Sequence, residues 1–322
     1  MSSPPRESPI ERHRRVQEVS AETGHVLDHR RLRQLGVTRF QAAAQVAAGR
    51  WRRVGRQTFS TRDAPLDDLA QRWRAVWEAG EGIALVDGVS ALQVAGLTGW
   101  TEDRVHISAL HNHNVGPISG VAVHKVIRRV EGEVAGVGLP RTTPAVAAIR
   151  AAHWAVSDRQ AATIMAMTVQ QRLATGAQLL AARRRVRGRT RRAFIRGIAL
   201  DIADGAQALG ELEFAQACRR RGMPEPTRQV LRVLPGGRAY LDVYFEEYGL
   251  VVEIDGAGHR WGLNAVDDNL RDNAVVIDGD RVLRINVIGL RLSEEAFMDQ
   301  LAGALRSEWA QANLSRRRLR SA

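Results

Sequence analysis

An aliphatic segment that carries two carboxylates, residues 250–256 (LVVEIDG), restricts the fold of this chain more than any other feature. Its unbroken aliphatic run predicts a strand that is buried on both faces. A carboxylate inside such a strand is costly unless it is paired or bound to a metal ion. Glu253 and Asp255 are two residues apart and therefore face the same side of the strand. Asp255 precedes a glycine and is also typical of a turn.

The sequence around this strand predicts an α-β-β-β-α-β-α order of elements within a domain at 206–312. The predicted helices are 207–221, 264–277 and 293–310, and the predicted strands are 227–233, 240–245, 250–255 and 281–287. Asp242 lies on the strand before Glu253, and a turn near Tyr248 brings the two strands side by side. The register is not fixed by the sequence, so a shared face for the two acids is a hypothesis. Two such carboxylates are the ligands that Mg²⁺ prefers, and Mn²⁺ is the alternative.

Several short motifs carry a resemblance over about the last 110 residues. They are Asp242, the EIDG of 253–256, His259, the DNLR of 268–271, Gly279 and the VLR of 282–284, preceded by the ELE of 211–213 and a GMPEP loop. This set resembles the PD-(D/E)xK endonuclease superfamily, in particular its branch similar to very-short-patch mismatch-repair endonucleases.

That resemblance implies Mg²⁺-dependent DNA cleavage on a restriction-endonuclease-like sheet flanked by helices. By position, Asp242, Glu253 and Glu213 would be metal ligands, and His259 a general acid or base. Asp255 stands where the superfamily commonly has lysine, which removes a positive charge from the site. The supporting residues implied on the same basis are Asp268, Arg271 and Arg284.

Residues 19–62 predict a second module. A helix at 26–35, Gly36, a Thr38 N-cap and a helix to residue 48 are followed by an alternating segment at 51–60. Helix, turn, helix and basic wing form the winged helix-turn-helix order. Trp51 is interpreted as a core residue that anchors the wing. The side chains expected near DNA are Arg39, Gln41, Arg50, Arg52, Arg53 and Arg56. Residues 1–18 are polar and predicted to be a disordered arm.

The middle region, 63–205, predicts a mixed α/β arrangement. Its predicted helices are 66–78, 90–94, 143–155 and 158–173, its strands 104–108 and 120–126, and its basic linker 183–192. A basic tail is predicted at 313–322. The fold class is thus α/β, or α+β when all regions are taken together.

Three N-terminal segments carry another resemblance: the GVT of 36–38, the GRWRRV of 49–54 and the LPRTTP of 139–144. They resemble the winged-helix domain and following region of AbiEi-type antitoxins. This resemblance implies DNA binding, transcriptional autoregulation and a toxin-type protein partner. The family often has a Ser-His pair where this chain reads VDGVS at 86–90, a departure from the pattern.

The net charge of +12, from 47 Lys and Arg against 35 Asp and Glu, favours a polyanionic partner such as DNA. A solubilising surface is the alternative interpretation. The single cysteine, Cys218, excludes an intrachain disulfide and is expected to be a buried thiol. The sequence contains neither a membrane-length apolar run nor a signal peptide, so a cytoplasmic protein without a membrane partner is expected. Self-association is left open.

Two functions compete on these observations. The first is a DNA endonuclease in which the N-terminal module docks on duplex DNA and the C-terminal domain hydrolyses phosphodiesters. The second is a non-catalytic DNA-binding regulator, or antitoxin-like protein, that retains only the nuclease scaffold. A phosphoryl-transfer enzyme acting on RNA or nucleotides ranks below both, because the sequence has no P-loop and no Gly-rich nucleotide motif.

Overall fold

The computed structural model describes residues 8–203, 207–234, 237–255 and 280–321, with side chains except at 207–213, 228–242, 255, 286–289 and 317–321. The chain is mixed α+β and divides into two compact units. The first comprises Met1–Ala151 with Arg185–Arg187, and the second Ala152–Arg184 with Gly188–Ala322. The boundaries expected near residues 62 and 205 do not coincide with this division.

The first unit begins with three helices and a small three-stranded sheet. Its elements are α1 (Pro9–Ala21), β1 (Val26–Asp28), α2 (His29–Gln34), α3 (Arg39–Ala47), β2 (Arg52–Arg53) and β3 (Thr58–Ser60). The strands form an antiparallel sheet in the order β1-β3-β2, with Val26 opposite Ser60 and Arg53 opposite Phe59. Leu27, Leu32 and Trp51 are among the residues of the core beneath it.

Helix α1 corrects the prediction of a disordered arm to residue 18. Ser8 and Glu11 form a reciprocal capping box, and Pro9 occupies the first turn, where its missing N–H carries no cost. Val16 is buried in the core, so α1 also has a packing partner. Residues 1–7 lie outside the described residues.

The prediction of helix from residue 26 is also wrong at its start. Residues 26–28 pair with β3 as a strand, and α2 begins only after them. Asp28 is the N-cap of α2, because its Oδ1 accepts a hydrogen bond of 2.8 Å from the Arg31 amide.

The rest of the first unit is built around a second small sheet. Its elements are α4 (Asp68–Ala79), β4 (Ala84–Val86), α5 (Gly88–Val94), β5 (Val105–Leu110), β6 (Val121–Val126) and α6 (Pro144–Trp154). The strand order is β4-β5-β6, with β4 antiparallel and β6 parallel to β5. The predicted helices and strands of this region are confirmed within a few residues, except that β4 was not predicted.

The second unit contains a helical part followed by a four-stranded sheet. Its elements are α7 (Asp158–Gln170), α8 (Gly176–Arg185), α9 (Arg192–Ala203), α10 (Gln207–Arg220), β7 (Thr227–Leu234), β8 (Gly237–Phe245), β9 (Leu250–Asp255), β10 (Arg281–Asn286), α11 (Val287–Leu292), α12 (Glu294–Arg306) and α13 (Glu308–Ser321). The sheet order is β10-β9-β8-β7, and only the β10–β9 pair is parallel. Phe214, Cys218, Val252 and Met298 belong to its core.

The C-terminal end differs from its prediction. Where a basic tail is predicted from residue 313, α13 continues to Ser321. The long final helix predicted at 293–310 is divided at Ser307, whose Oγ accepts from the Ala310 amide and so caps α13. The predicted helix at 264–277 lies outside the described residues. In the described part of the chain, no helix combines the length and apolarity needed to cross a bilayer.

Candidate functional site

The start of helix α3 is fixed by an N-terminal capping box and by the turn that precedes it. Thr38 and Gln41 form a capping box in which Gln41 Oε1 accepts from the Thr38 amide at 2.9 Å and Thr38 Oγ1 accepts from the Gln41 amide at 3.2 Å. Gly36, with φ of +74°, allows the tight turn between α2 and α3. Gln41, which the sequence placed near DNA, thus has its amide oxygen committed to the helix cap.

The five arginines predicted near DNA are all exposed, on α3, on β2 and in the connections around β2. Arg50 Nε donates to Gln45 Oε1 at 2.7 Å, which ties it to the end of α3. Arg53 donates to the carbonyls of Gly55 and Arg56, at 3.1 and 3.0 Å, and so supports its own turn. Arg52 Nε lies 4.0 Å from Asp63 Oδ1, a long contact between two exposed side chains. The guanidinium groups of Arg39, Arg52 and Arg56 are therefore less committed to the chain's own carbonyls than that of Arg53.

Glu78 of α4 holds the turn between β2 and β3. Its carboxylate accepts from the Arg56 amide at 2.9 Å, the Gln57 amide at 2.8 Å and Thr58 Oγ1 at 2.7 Å. A β-carbon at Gly55 would overlap this carboxylate, so a larger residue there would displace the Glu78 side chain from the turn. Glu78 has no local sequence signal, because its three hydrogen-bond partners lie 20 to 22 residues away in the sequence.

Two aromatic residues near α3 have opposite environments. Trp51 is buried in the core, which confirms its interpretation as an anchor for the hairpin. Phe40 of α3 is 76% exposed, and the Arg39 guanidinium carbon lies 5.5 Å from its ring centre. Phe40 was missed because an apolar residue in a predicted helix is usually assigned to the core. An open cleft of about 730 Å³ lies beside it, lined by residues of α2, α3 and their connection.

The acidic strand β9 places Glu253 in a buried position, 5% exposed, between the buried Val252 and Ile254. The parallel register pairs Glu253 with Arg284 of β10, whose side chain is exposed, and Asp255 with Asn286. The expectation that this strand is buried is confirmed. A carboxylate in such surroundings needs a compensating positive charge or hydrogen bonds.

The other predicted acids are placed only through their backbone. The β8–β9 register pairs Val243 with Val252. Asp242 and Glu253 are the next residues along the two strands, so an unbroken ladder would pair them. Glu213 belongs to α10. The side chains of Asp242, Asp255 and Glu213 are not among those described, and His259, Asp268 and Arg271 lie outside the described residues.

Among the side chains that are described, no three His, Cys, Asp or Glu residues are grouped as a metal site would require. The Asp242, Asp255 and Glu213 side chains are not among those described, so the predicted metal set stays a prediction. Glu253 is the one member of that set whose environment the structure defines.

A buried ionic cluster in the first unit was not predicted. Arg150 of α6 donates to Asp87 Oδ2 at 2.7 Å and to Glu133 Oε2 at 2.7 Å. Arg129 also pairs with Glu133, at 3.2 Å, and Thr142 Oγ1 donates to Asp87 Oδ1 at 2.8 Å. Burial acts to lower the pKa of Arg150, but the charges and hydrogen bonds of the two acids outweigh it and raise that pKa.

A histidine pair lies on the neighbouring strands β5 and β6. His124 Nε2 and His106 Nδ1 are 3.1 Å apart, and Glu102 Oε1 is 3.7 Å from His106 Nε2. Burial, then the charges of His106 and Arg104, lowers the pKa of His124 to about 3. His124 is thus held neutral near neutral pH, where it forms a polar contact with His106 inside the unit.

Comparisons with known proteins place few constraints on this chain. No known protein-family profile matches it, and no curated protein is similar to it. The crystal structure of the Rv2827c protein from Mycobacterium tuberculosis is similar, with a TM-score of 0.41 and 14% identity, over 62% of this chain and 78% of that chain. A similarity this weak supports no conclusion about family or activity.

Proposed function

We propose that the N-terminal region is a winged helix-turn-helix through which the protein binds duplex DNA. The observation that carries this proposal is the order α1-β1-α2-α3-β2-β3 with a β1-β3-β2 sheet. In that arrangement α3 is the recognition helix, which enters the major groove, and the β2–β3 hairpin is the wing. Arg39 would contact DNA from α3, and Arg52 and Arg56 from the wing.

Charge supports the same partner. Each arginine that neutralises a phosphate releases a condensed counterion, so the affinity falls as salt rises. The net charge of +12 and the exposed arginines on α3, on β2 and around the hairpin provide that interaction. The expected complex is therefore strongly salt-dependent.

Fluorescence anisotropy on a labelled duplex, between about 50 and 200 mM salt, tests the proposal. The variants are Arg52→Gln and Arg56→Gln, with Arg159→Gln on the exposed part of α7 as the charge-matched control. Each hairpin variant should weaken binding and reduce the slope of log affinity against log salt by about 1, while the control leaves both unchanged. Equal effects from all three variants, or no binding at the lowest salt, would overturn the proposal.

The register of β8 and β9 favours a second activity, metal-dependent cleavage of the bound DNA. Asp242 opposite the buried Glu253 would give two carboxylates to one hard cation, Mg²⁺ or Mn²⁺, with Glu213 as a further ligand. Such an ion, when bound, supplies Lewis-acid stabilisation of the phosphate and lowers the pKa of a coordinated water. His259 would move a proton, and Asp268, Arg271 and Arg284 would support the site.

Asp255 stands where the superfamily commonly has lysine, and this difference is the reason to keep a non-catalytic alternative. Without that lysine, the positive charge at the scissile phosphate would have to come from an arginine such as Arg284, which the register places beside Glu253. The alternative is an antitoxin-like regulator that keeps the nuclease scaffold but binds DNA only.

A nicking assay distinguishes the two. Supercoiled plasmid is incubated with Mg²⁺, Mn²⁺ or EDTA, with the wild-type chain and with the Asp242→Asn, Glu253→Gln double variant. Metal-dependent products that the double variant does not form establish the enzyme. Identical DNA in every lane, with duplex binding retained by both proteins, establishes the regulator.

A further inference from the structure

The outward face of α3 is apolar. Phe40, Ala43, Ala44 and Ala47 follow the i, i+3, i+4, i+7 spacing of one helical face, and all four are exposed. The opposite face is the one that packs, with Ala42 in the core and Val46 against it. The largest side chain of the four, Phe40, is 76% exposed. Single exposed apolar residues are common on proteins, but here a large ring heads a complete exposed stripe.

The charges around this face indicate what covers it. Arg33 and Arg39 line the same open cleft as Phe40. Arg50 and Arg52 follow α3 in the chain and are exposed, with Arg52 Nε 4.0 Å from Asp63 Oδ1. A basic rim around an apolar helix face is complementary to the major groove of DNA, where phosphates border the base edges. The alanines let the helix backbone approach the base edges, because a methyl side chain is too short to hold the helix away from the bases.

In the major groove, an apolar side chain has one specific partner, the 5-methyl group of thymine. We propose that Phe40, assisted by Ala43 and Ala44, reads thymine methyl groups and gives this protein a preference for thymine-containing sites. Arg39 adds a polar contact at the same step, to a guanine edge or to a phosphate. The inference rests on the proposed DNA binding through α3 and adds the chemical basis of its sequence preference.

The size of the effect follows from burial of one methyl group. Removing such a group from an apolar contact weakens binding by about four-fold. Replacing thymine by uracil removes that methyl group and leaves the base-pairing edge unchanged. The exchange therefore isolates the proposed contact from every electrostatic one.

The experiment uses the full chain. A preferred duplex is selected from a random library, and its thymines are then exchanged for uracil one at a time, with affinity measured by anisotropy. The wild type should lose about four-fold at one or two positions. Phe40→Ala should be insensitive to the exchange at those positions. Phe40→Leu should keep part of the sensitivity.

Val137→Ala is the matched control, because Val137 is 99% exposed and lies outside α3. It should behave as the wild type. Circular dichroism melting of each variant verifies that the fold is retained.

The outcomes separate this inference from the proposed function. If no duplex is bound, DNA binding itself fails. If duplex is bound with the expected salt dependence, but no thymine-containing site is enriched, or uracil has no effect, or Phe40→Ala responds as the wild type does, only the methyl-reading inference fails. A change in oligomeric state on Phe40→Ala, with uracil sensitivity retained, would assign the face to a second copy of the chain and overturn it also.

Discussion

Arg150 and Asp87 form a buried ion pair: Nη1 and Oδ2 are 2.7 Å apart, and the side chains are 4% and 0% exposed. The two residues are 63 positions apart in the sequence. Asp87 caps α5 through the Gly88 amide, so the pair links the start of α5 to α6. Glu133 completes the cluster from the connection before α6.

Arg150→Met should therefore destabilise the first unit strongly. The substitution keeps the volume of the side chain but leaves two buried carboxylates without their main cation. Breaking a buried pair in this way costs about 3–5 kcal/mol. Urea unfolding followed by tryptophan fluorescence measures the change. Arg159→Met, at an exposed position, should shift the midpoint little, and a loss under about 1 kcal/mol for Arg150→Met would show that the cluster contributes little.

The histidine pair predicts a pH dependence of stability. His124 in the folded chain has a pKa of about 3, below its ordinary value of 6.5, because it is buried beside His106 and Arg104. Between those two pH values the unfolded chain binds more protons than the folded chain. Stability from this group is thus fully present above about pH 6.5 and is lost as pH falls toward 3, by at most about 1.4 kcal/mol per pH unit.

His124→Gln tests this dependence, since glutamine does not titrate. The variant should show a flatter decline of unfolding free energy between pH 6.5 and pH 4 than the wild type. His13→Gln, on the exposed side of α1, should leave the decline unchanged. Parallel curves for His124→Gln and the wild type would contradict the assignment.

The local parts of the fold could be predicted from the sequence, because the signals are local. Thr38 with Gln41 caps α3, and the aliphatic run of β9 predicts its burial. The prediction of a disordered arm at residues 1–18 was wrong because two local signals disagreed. The polar composition of residues 9–18 outweighed the equally local Ser8–Glu11 capping box, and α1 is docked through two buried residues, Val16 and Ser20.

The long-range polar pairs could not be predicted. Asp87, Glu133 and Arg150 each look like ordinary charged residues, and only the tertiary fold brings them together. The predicted acidic site around Glu253 could be predicted in part. Burial of Glu253 was predicted and is confirmed. That the Asp242 and Glu213 side chains lie close to Glu253 stays a prediction. Register, which decides whether two acids share a face, is set by backbone pairing that the residue pattern leaves open.

Glu78→Ala should loosen the hairpin turn. Three donors, the Arg56 and Gln57 amides and Thr58 Oγ1, lose their acceptor. The expected loss of stability is about 1–3 kcal/mol, with faster hydrogen exchange at those two amides. Glu78→Gln keeps one oxygen acceptor and should lie between. Glu81→Ala removes an acid of the exposed surface and serves as the control. Unchanged exchange at residues 56 and 57 would mean that solvent replaces Glu78 without cost.

Cys218 should act as a reporter of unfolding in the second unit. It is the only cysteine, is fully buried in the core beneath the sheet, and burial raises the pKa of its thiol to about 11. At pH 8 the thiolate fraction is then about a thousand-fold below unity, and the reagent has no path to it, so native labelling requires opening of the core. Iodoacetamide labelling followed by mass spectrometry should give almost no adduct in buffer and one adduct per chain in urea. Cys218→Ala provides the blank. Rapid labelling of the native chain would show that α10 separates from the sheet without global unfolding, since Phe214, Ala217 and Cys218 all join that helix to the core.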